Sequence, residues 1–284
     1  MKLLRYGPAG VEKPGLLDRQ GLVRDLSGHL PDVTGAALLP ASLEALARLD
    51  PESLPQVAAA RIGPCVGGVG KLVCVGLNYS DHAAEANMAT PSEPVLFLKP
   101  TSSIVGPNDD VEIPSDSKKT DWEVELGVVI GKPGKYVAQD AAMNHVAGYC
   151  IVNDVSERAY QLERGGTWDK GKGCDTFAPL GPWLVTRDEI PDPQNLELWL
   201  EVDGKSCQKG STAKMIFGVA QLVSYISQFM SLRSGDVIST GTPPGVGMGQ
   251  RPPRFLSVGQ TMRLGIAGLG VQQQRTVEPT REIL

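Results

Sequence analysis

Residues 121 to 127 read Asp121-Trp122-Glu123-Val124-Glu125-Leu126-Gly127, and the run continues through Val128 and Val129 to Ile130. Polar and apolar side chains alternate with the period of an extended strand, which sets Glu123 and Glu125 on one face and Val124 and Leu126 on the other. Two like charges then share a side. Solvent, basic partners or a cation must compensate them, and paired carboxylates at this spacing suit a hard ion such as Mg²⁺, Mn²⁺ or Ca²⁺. A strand with one solvated face is the plainer alternative.

The neighbouring strand signal, His145 to Val152, ends in Asn153-Asp154. A carboxylate there, beside the pair on the adjacent strand, would complete a three-oxygen face; alternatively, Asp154 caps a helix running from Val155 toward Glu163. Further strands are expected at Lys71 to Gly76, Val95 to Leu98, Trp183 to Val185, Leu196 to Val202, Asp236 to Ser239 and Thr261 to Ile266, with a hairpin turn at Asp203-Gly204. The chain has 33 glycines and 22 prolines in 284 residues, which fits a loop-rich, strand-rich protein and argues against a helical bundle. One long helical pattern spans Met215 to Met230, its apolar residues recurring at helical spacing. Ahead of Gly70, short extended pieces and a helix at Ser42 to Leu49 suggest a small N-terminal α/β domain over residues 1–66, with the main domain at 70–284. The expected fold class is α+β, mostly β.

Thirty-two acidic against 27 basic residues give a formal charge of −5, so no basic surface recommends nucleic acid or an anionic membrane as partner. No window of ~18 consecutive apolar residues occurs. Met1 to Gly10 lacks the charged start and apolar run of a secretory signal, so a cytoplasmic protein is expected. Five cysteines, odd in number and without a CxxC, read as free thiols. Three histidines are too few and too scattered for a zinc site, so any metal should be oxygen-bound. Gly204-Lys205-Ser206 lacks the earlier glycine that a phosphate loop needs, because Trp199 stands there. With no GxGxxG, GxSxG or HExxH, dinucleotide-binding, serine hydrolase and zincin readings fall away.

His82 and Glu85 fall in Ser80-Asp81-His82-Ala83-Ala84-Glu85, which suggests a short helix with both side chains on one face. Such a carboxylate can orient the imidazole to activate water, typically worth ~10²–10⁴-fold in rate; an exposed helical pair is the alternative. Lys172, between Gly171 and Gly173, can sit where backbone closely approaches a ligand. Thr240 to Gly247 can offer hydroxyls and amides to an anion, or form a rigid turn. From Val237 to Val277 there is no acidic residue, while Arg251, Arg254, Arg263 and Arg275 are present, an excess that fits an anionic ligand or a solvated rim.

Taken together, Cys74 to His82 (CVGLNYSDH), Glu85, Pro94 to Pro100 (PVLFLKP), Glu123-x-Glu125-Leu126-Gly127, Asn153 to Arg158 (NDVSER), Lys172 and Gly241-Thr242-Pro243 resemble the fumarylacetoacetate hydrolase family over roughly residues 70 to 278. The N-terminal MKLLRYG, EKPGLLD and RDLSGH resemble its longer bacterial members, named as ureidoglycolate lyases or as hydrolases of 2,4-diketo-3-deoxy sugar acids such as diketo-deoxyrhamnonate and diketo-deoxyfuconate. The resemblance implies a mixed β-sandwich roll, Mg²⁺ as cofactor and a homodimer or higher homo-oligomer. It implies that Glu123, Glu125 and Asp154 are metal ligands and that His82 and Glu85 are a water-activating pair on a mobile lid. Lys172 would stabilise developing negative charge, with Arg158, Gly241 and Thr242 on the substrate side. The expected activity is hydrolysis of the C3–C4 bond of a small anionic 2,4-dioxo acid to pyruvate and a small acid. Ureidoglycolate lyase, oxaloacetate decarboxylase and a cation-stabilised binding module are the competing readings.

Overall fold

The computed structural model describes residues 1–58, 60–81 and 89–280. The chain opens with β1 (Lys2–Tyr6), β2 (Lys13–Leu17), β3 (Val23–Asp25) and α1 (Pro40–Leu46). Next come β4 (Leu72–Gly76), β5 (Val95–Lys99) and the short β6 (Ile104–Val105), β7 (Val111–Glu112) and β8 (Thr120–Asp121). β9 (Val124–Ile130) and β10 (Val146–Asn153) form a central pair, and β11 (Ser156–Glu157) leads into α2 (Arg158–Glu163) and the single turn α3 (Asp169–Lys172). The rest is β12 (Ala178–Thr186), β13 (Glu197–Val202), β14 (Lys205–Ser211), α4 (Val219–Phe229), β15 (Val237–Ser239), β16 (Thr261–Ile266) and β17 (Gly270–Val277).

The strands build a mixed ten-stranded sheet in the order β3-β2-β1-β12-β10-β9-β15-β4-β5, with β6 beside β12, and a five-stranded sheet β14-β13-β16-β17-β7. The fold is therefore α+β, mostly β, as the alternation and glycine content predict. Strand period two decides which core each β9 residue joins. Val124, Leu126, Val128 and Ile130 pack with Val73 of β4, Leu198 and Leu200 of β13, and Leu222, Val223 and Ile226 of α4. Val129, on the opposite face, joins Leu72, Cys74, Cys150 and Val152, together with Leu3, Leu16 and Leu26 from the N-terminal segment. Each side chain of this size, once fully buried, is worth ~1.5–3 kcal/mol.

β1 pairs antiparallel with β12, so residues 1–66 extend the large sheet and share its second core. Asp203 and Gly204 join β13 to β14 with φ of 50° and 73°, the positive values that a tight two-residue hairpin requires. α4 starts at Val219 rather than at Met215. The reason is long-range: Asn78 takes the backbone just ahead of it, its carbonyl accepting from the Ile216 amide at 2.8 Å and its Oδ1 from the Phe217 amide at 2.8 Å. β12 runs well beyond the expected Trp183 to Val185, with Pro182 where its pairing with β10 is irregular and Pro179 at its start, opposite Val105 of β6. All five cysteines are free. Among the described residues no helix is long and apolar enough to cross a membrane.

Candidate active site

β10 lies antiparallel to β9 with Val152 opposite Glu125 and Asn153 opposite Val124. That register carries Asp154 just past the strand end, where its amide donates to the Glu123 carbonyl at 2.9 Å. Glu123 itself precedes β9 rather than belonging to it, and its amide donates to Asn153 Oδ1 at 3.3 Å. Glu123, Glu125 and Asp154 are all buried, and each offers a carboxylate oxygen to a group whose members lie within 4.8 Å of one another. The two strands thus assemble the three-oxygen face that the sequence spacing suggests.

On the other side of β9, β15 supplies the support for Glu125. Ser239 Oγ donates to Glu125 Oε2 at 2.6 Å, and the Gly241 amide donates to the same oxygen at 2.9 Å. Gly241 has φ of +94°, and a Cβ there would stand 2.8 Å from Asn78 Cβ and 3.0 Å from the Val75 carbonyl, so this approach requires glycine. The Thr242 hydroxyl donates to the Val124 carbonyl at 2.9 Å and accepts from Gln208 Nε2 at 2.8 Å.

Three buried cations interleave with the acids. Lys172 Nζ donates to Glu123 Oε2 at 2.6 Å and to Asp154 Oδ2 at 2.8 Å. Lys99 Nζ donates to Asp154 Oδ1 at 2.6 Å and to the Val155 carbonyl at 2.9 Å. Arg158 donates to Glu123 Oε1 at 2.6 Å, to Asp121 Oδ2 at 2.9 Å and to Gln161 Oε1 at 3.1 Å. Asp121 is fixed in turn by the amides of Trp122, Gly247 and Met248.

Burial works to raise the Glu123 carboxyl, but Lys172 and Arg158 outweigh it and hold the group at about 2. Glu125 is pushed up to about 8, by burial first and then by the charges of Asp154 and Glu123. Burial likewise opposes the charge on Lys172, and Asp154 and Glu123 overcome it, keeping the ammonium above its ordinary value. Counting Asp121, four carboxylates face three cations, and the negative charge in surplus is taken up by a proton on Glu125. Three buried, convergent carboxylate oxygens with that surplus fit a hard divalent cation, which would replace the Glu125 proton.

Glu123, Glu125, Asp154, Arg158, Lys172 and Thr242 line one cavity of about 200 Å³. Gly241 commits its amide to Glu125 just behind them. His82 and Glu85 lie outside the described residues. Asp154 does not cap α2; Glu157 does, its side chain accepting from the Ala159 amide at 3.0 Å. None of Arg251, Arg254, Arg263 and Arg275 lines this cavity, and Arg254 and Arg263 lie over the rings of Trp122 and Trp199. Lys99 and Asp121 escaped the sequence reading of the site. The available signal for Lys99 was a lone lysine closing the apolar run Val95-Leu96-Phe97-Leu98; nothing local marks Asp121 as the anchor of Arg158.

Residues 71–277 match the fumarylacetoacetate (FAA) hydrolase C-terminal family. A protein of Burkholderia cenocepacia (strain HI2424), carrying only a provisional hydrolase name, is 64% identical over 278 residues, which cover 97% of this chain and 99% of that protein. A solved fumarylacetoacetate hydrolase from Exiguobacterium antarcticum is 34% identical with a TM-score of 0.88, over 98% of this chain and 100% of that one. A 2-hydroxyhepta-2,4-diene-1,7-dioate isomerase from Mycobacterium marinum is 32% identical with a TM-score of 0.73, over 99% of this chain and 100% of that one. The family match, the relatives and the overall fold converge, and the chain is an enzyme of the fumarylacetoacetate hydrolase family.

Proposed function

We propose that the enzyme is a Mg²⁺-dependent hydrolase cleaving the C3–C4 bond of a 2,4-dioxo acid, such as 2,4-diketo-3-deoxy-L-rhamnonate, to pyruvate and a small acid such as L-lactate. The observation that carries this reading is the buried Glu123, Glu125 and Asp154 group, interlocked with Lys172 beside the cavity. At about 200 Å³ the cavity is small against the ~300–1,000 Å³ of drug-sized sites, which favours a compact acid.

Glu123, Glu125 and Asp154 would hold the divalent cation, for which Mn²⁺ or Ca²⁺ could substitute, and which when bound supplies positive charge for the substrate's 1-carboxylate and 2-oxo group. His82, oriented by Glu85, takes a proton from water as the water oxygen bonds to C4. The C3–C4 bond then breaks and its electron pair passes to the pyruvyl fragment as an enolate, which gains a proton at C3 to give pyruvate. Lys172, fixed by two carboxylates, supplies charge where the enolate develops without having to reorganise. Arg158 holds Glu123 in place and Thr242 forms part of the wall.

The proposal extends to a cytoplasmic enzyme acting as a homodimer or higher homo-oligomer. Edge strand β5 supports self-association: it borders a groove of about 790 Å³ and leaves Leu98 44% exposed.

A lactate-dehydrogenase-coupled assay for pyruvate over a panel of 2,4-dioxo acids, with and without chelator, tests the reading. Chelator-sensitive pyruvate release is expected, and His82→Ala should abolish turnover while leaving metal binding intact. Pyruvate release indifferent to chelator would contradict it. Glyoxylate from ureidoglycolate alone would favour the lyase. The likeness to the isomerase structure supports a second reading, in which the same site shifts a double bond of a hydroxydienedioate; an absorbance change without pyruvate would identify it.

A further inference from the structure

We infer that the site selects a short, uncharged acyl tail and discriminates against a second carboxylate; this deepens the hydrolase reading and rests on it for the identity of the substrate's head group. Beyond the acids and the polar side chains of Lys172, Arg158, Gln161 and Thr242, the cavity wall is apolar, made chiefly by Leu77, Phe97, Leu162, Trp168 and Met248. Phe97 and Trp168 meet edge to face at 5.4 Å. A Cβ on Gly76 would stand 2.6 Å from the Trp168 ring, so the indole seats against bare backbone.

Leu77 adopts φ of 52°, a left-handed conformation that a branched aliphatic residue rarely takes. The next residue is tightly anchored: Asn78 Nδ2 donates to the Phe217 and Thr240 carbonyls at 3.0 and 2.7 Å, and its Oδ1 accepts from the Phe217 amide. The fold thus holds an aliphatic side chain at the cavity against its own backbone preference, as happens where a site needs a particular wall.

Charge supports the same selection. Lys172 and Arg158 are the cations among the described residues lining the cavity, and both are already bonded to Glu123 and a second acid. Lys99 is spent on Asp154 and Val155, and Arg254 lies over Trp122. Residues 82–88 contain no lysine or arginine. A tail carboxylate would lose its hydration here with no uncommitted lysine or arginine to pair with, close to three other carboxylates.

Two unreactive five-carbon 2-oxo acids isolate the tail: 2-oxopentanoate ends in a methyl group and 2-oxoglutarate in a carboxylate. Isothermal titration of the Mg²⁺-loaded enzyme should find 2-oxopentanoate bound at least about tenfold more tightly. Leu162→Arg places a cation on the wall at a position 49% exposed on α2, and should shift the ratio toward 2-oxoglutarate by about tenfold. Equal or tighter binding of 2-oxoglutarate by the unmodified enzyme, binding of neither acid, or an unchanged ratio in Leu162→Arg would each overturn the inference. Neither acid is cleaved, so a silent pyruvate assay would end the hydrolase reading while leaving a measured tail preference standing.

Discussion

Asp154 is gripped on both oxygens, by Lys99 on Oδ1 and by Lys172 on Oδ2. Lys99 is absent from the cavity wall, which makes it a positioning residue acting through Asp154. Lys99→Met keeps most of the side-chain volume and leaves one oxygen of a buried acid unpaired. A stability loss of ~3–5 kcal/mol is expected by denaturant titration, with metal affinity lowered about 10–100-fold by calorimetry; unchanged metal affinity would refute the positioning role. Glu125 makes a second prediction. With its carboxyl pushed up to about 8, the metal-free enzyme holds a proton there at neutral pH that a cation must displace. Divalent-ion affinity should therefore rise as pH increases toward about 8, with proton release on binding visible as a buffer-dependent heat. Affinity independent of pH over that range would contradict the assignment.

Three strands converge on the site: β9 carries Glu125, the end of β10 delivers Asp154 beside Glu123, and the turn after β15 brings the Gly241 amide to Glu125. Gly241→Ala forces a side chain into a positive-φ position against Asn78 and Val75. It should cost ~1–3 kcal/mol of stability, read from the denaturation midpoint. Much of this level is legible in sequence. Alternation around Glu123 and Glu125 announced β9 and its two faces, and β16 occupies the expected Thr261 to Ile266. What escaped depends on distant partners. The start of α4 is set by Asn78, some 140 residues earlier in the chain, and of the prolines that obscured β12, Pro182 sits where the pairing with β10 slips and Pro179 opens the strand beside β6. Lys99 looked like the end of an apolar strand, because a buried lysine has no local signature until its acid partner is placed. The expected helix around His82 and Glu85 lies outside the described residues.

Across the whole molecule, the two faces of the large sheet do different work. One packs against α4 and the five-stranded sheet. The other carries the acids at one end and an apolar core with the N-terminal segment at the other, so β1 to β3 brace the strands from which the acids project. The acids are held by hydrogen bonds from Lys172, Lys99, Arg158, Ser239 and the Gly241 amide, and the charge surplus centred on Glu125 is what a divalent cation would satisfy. The most direct test is calorimetric titration of chelator-stripped enzyme with Mn²⁺, alongside Glu125→Gln and Asp154→Asn variants whose folding is verified by circular dichroism. One ion per chain is predicted for the unmodified enzyme, with affinity reduced about 100-fold or more in each variant; folded variants that bind Mn²⁺ as tightly as the unmodified enzyme would contradict the account.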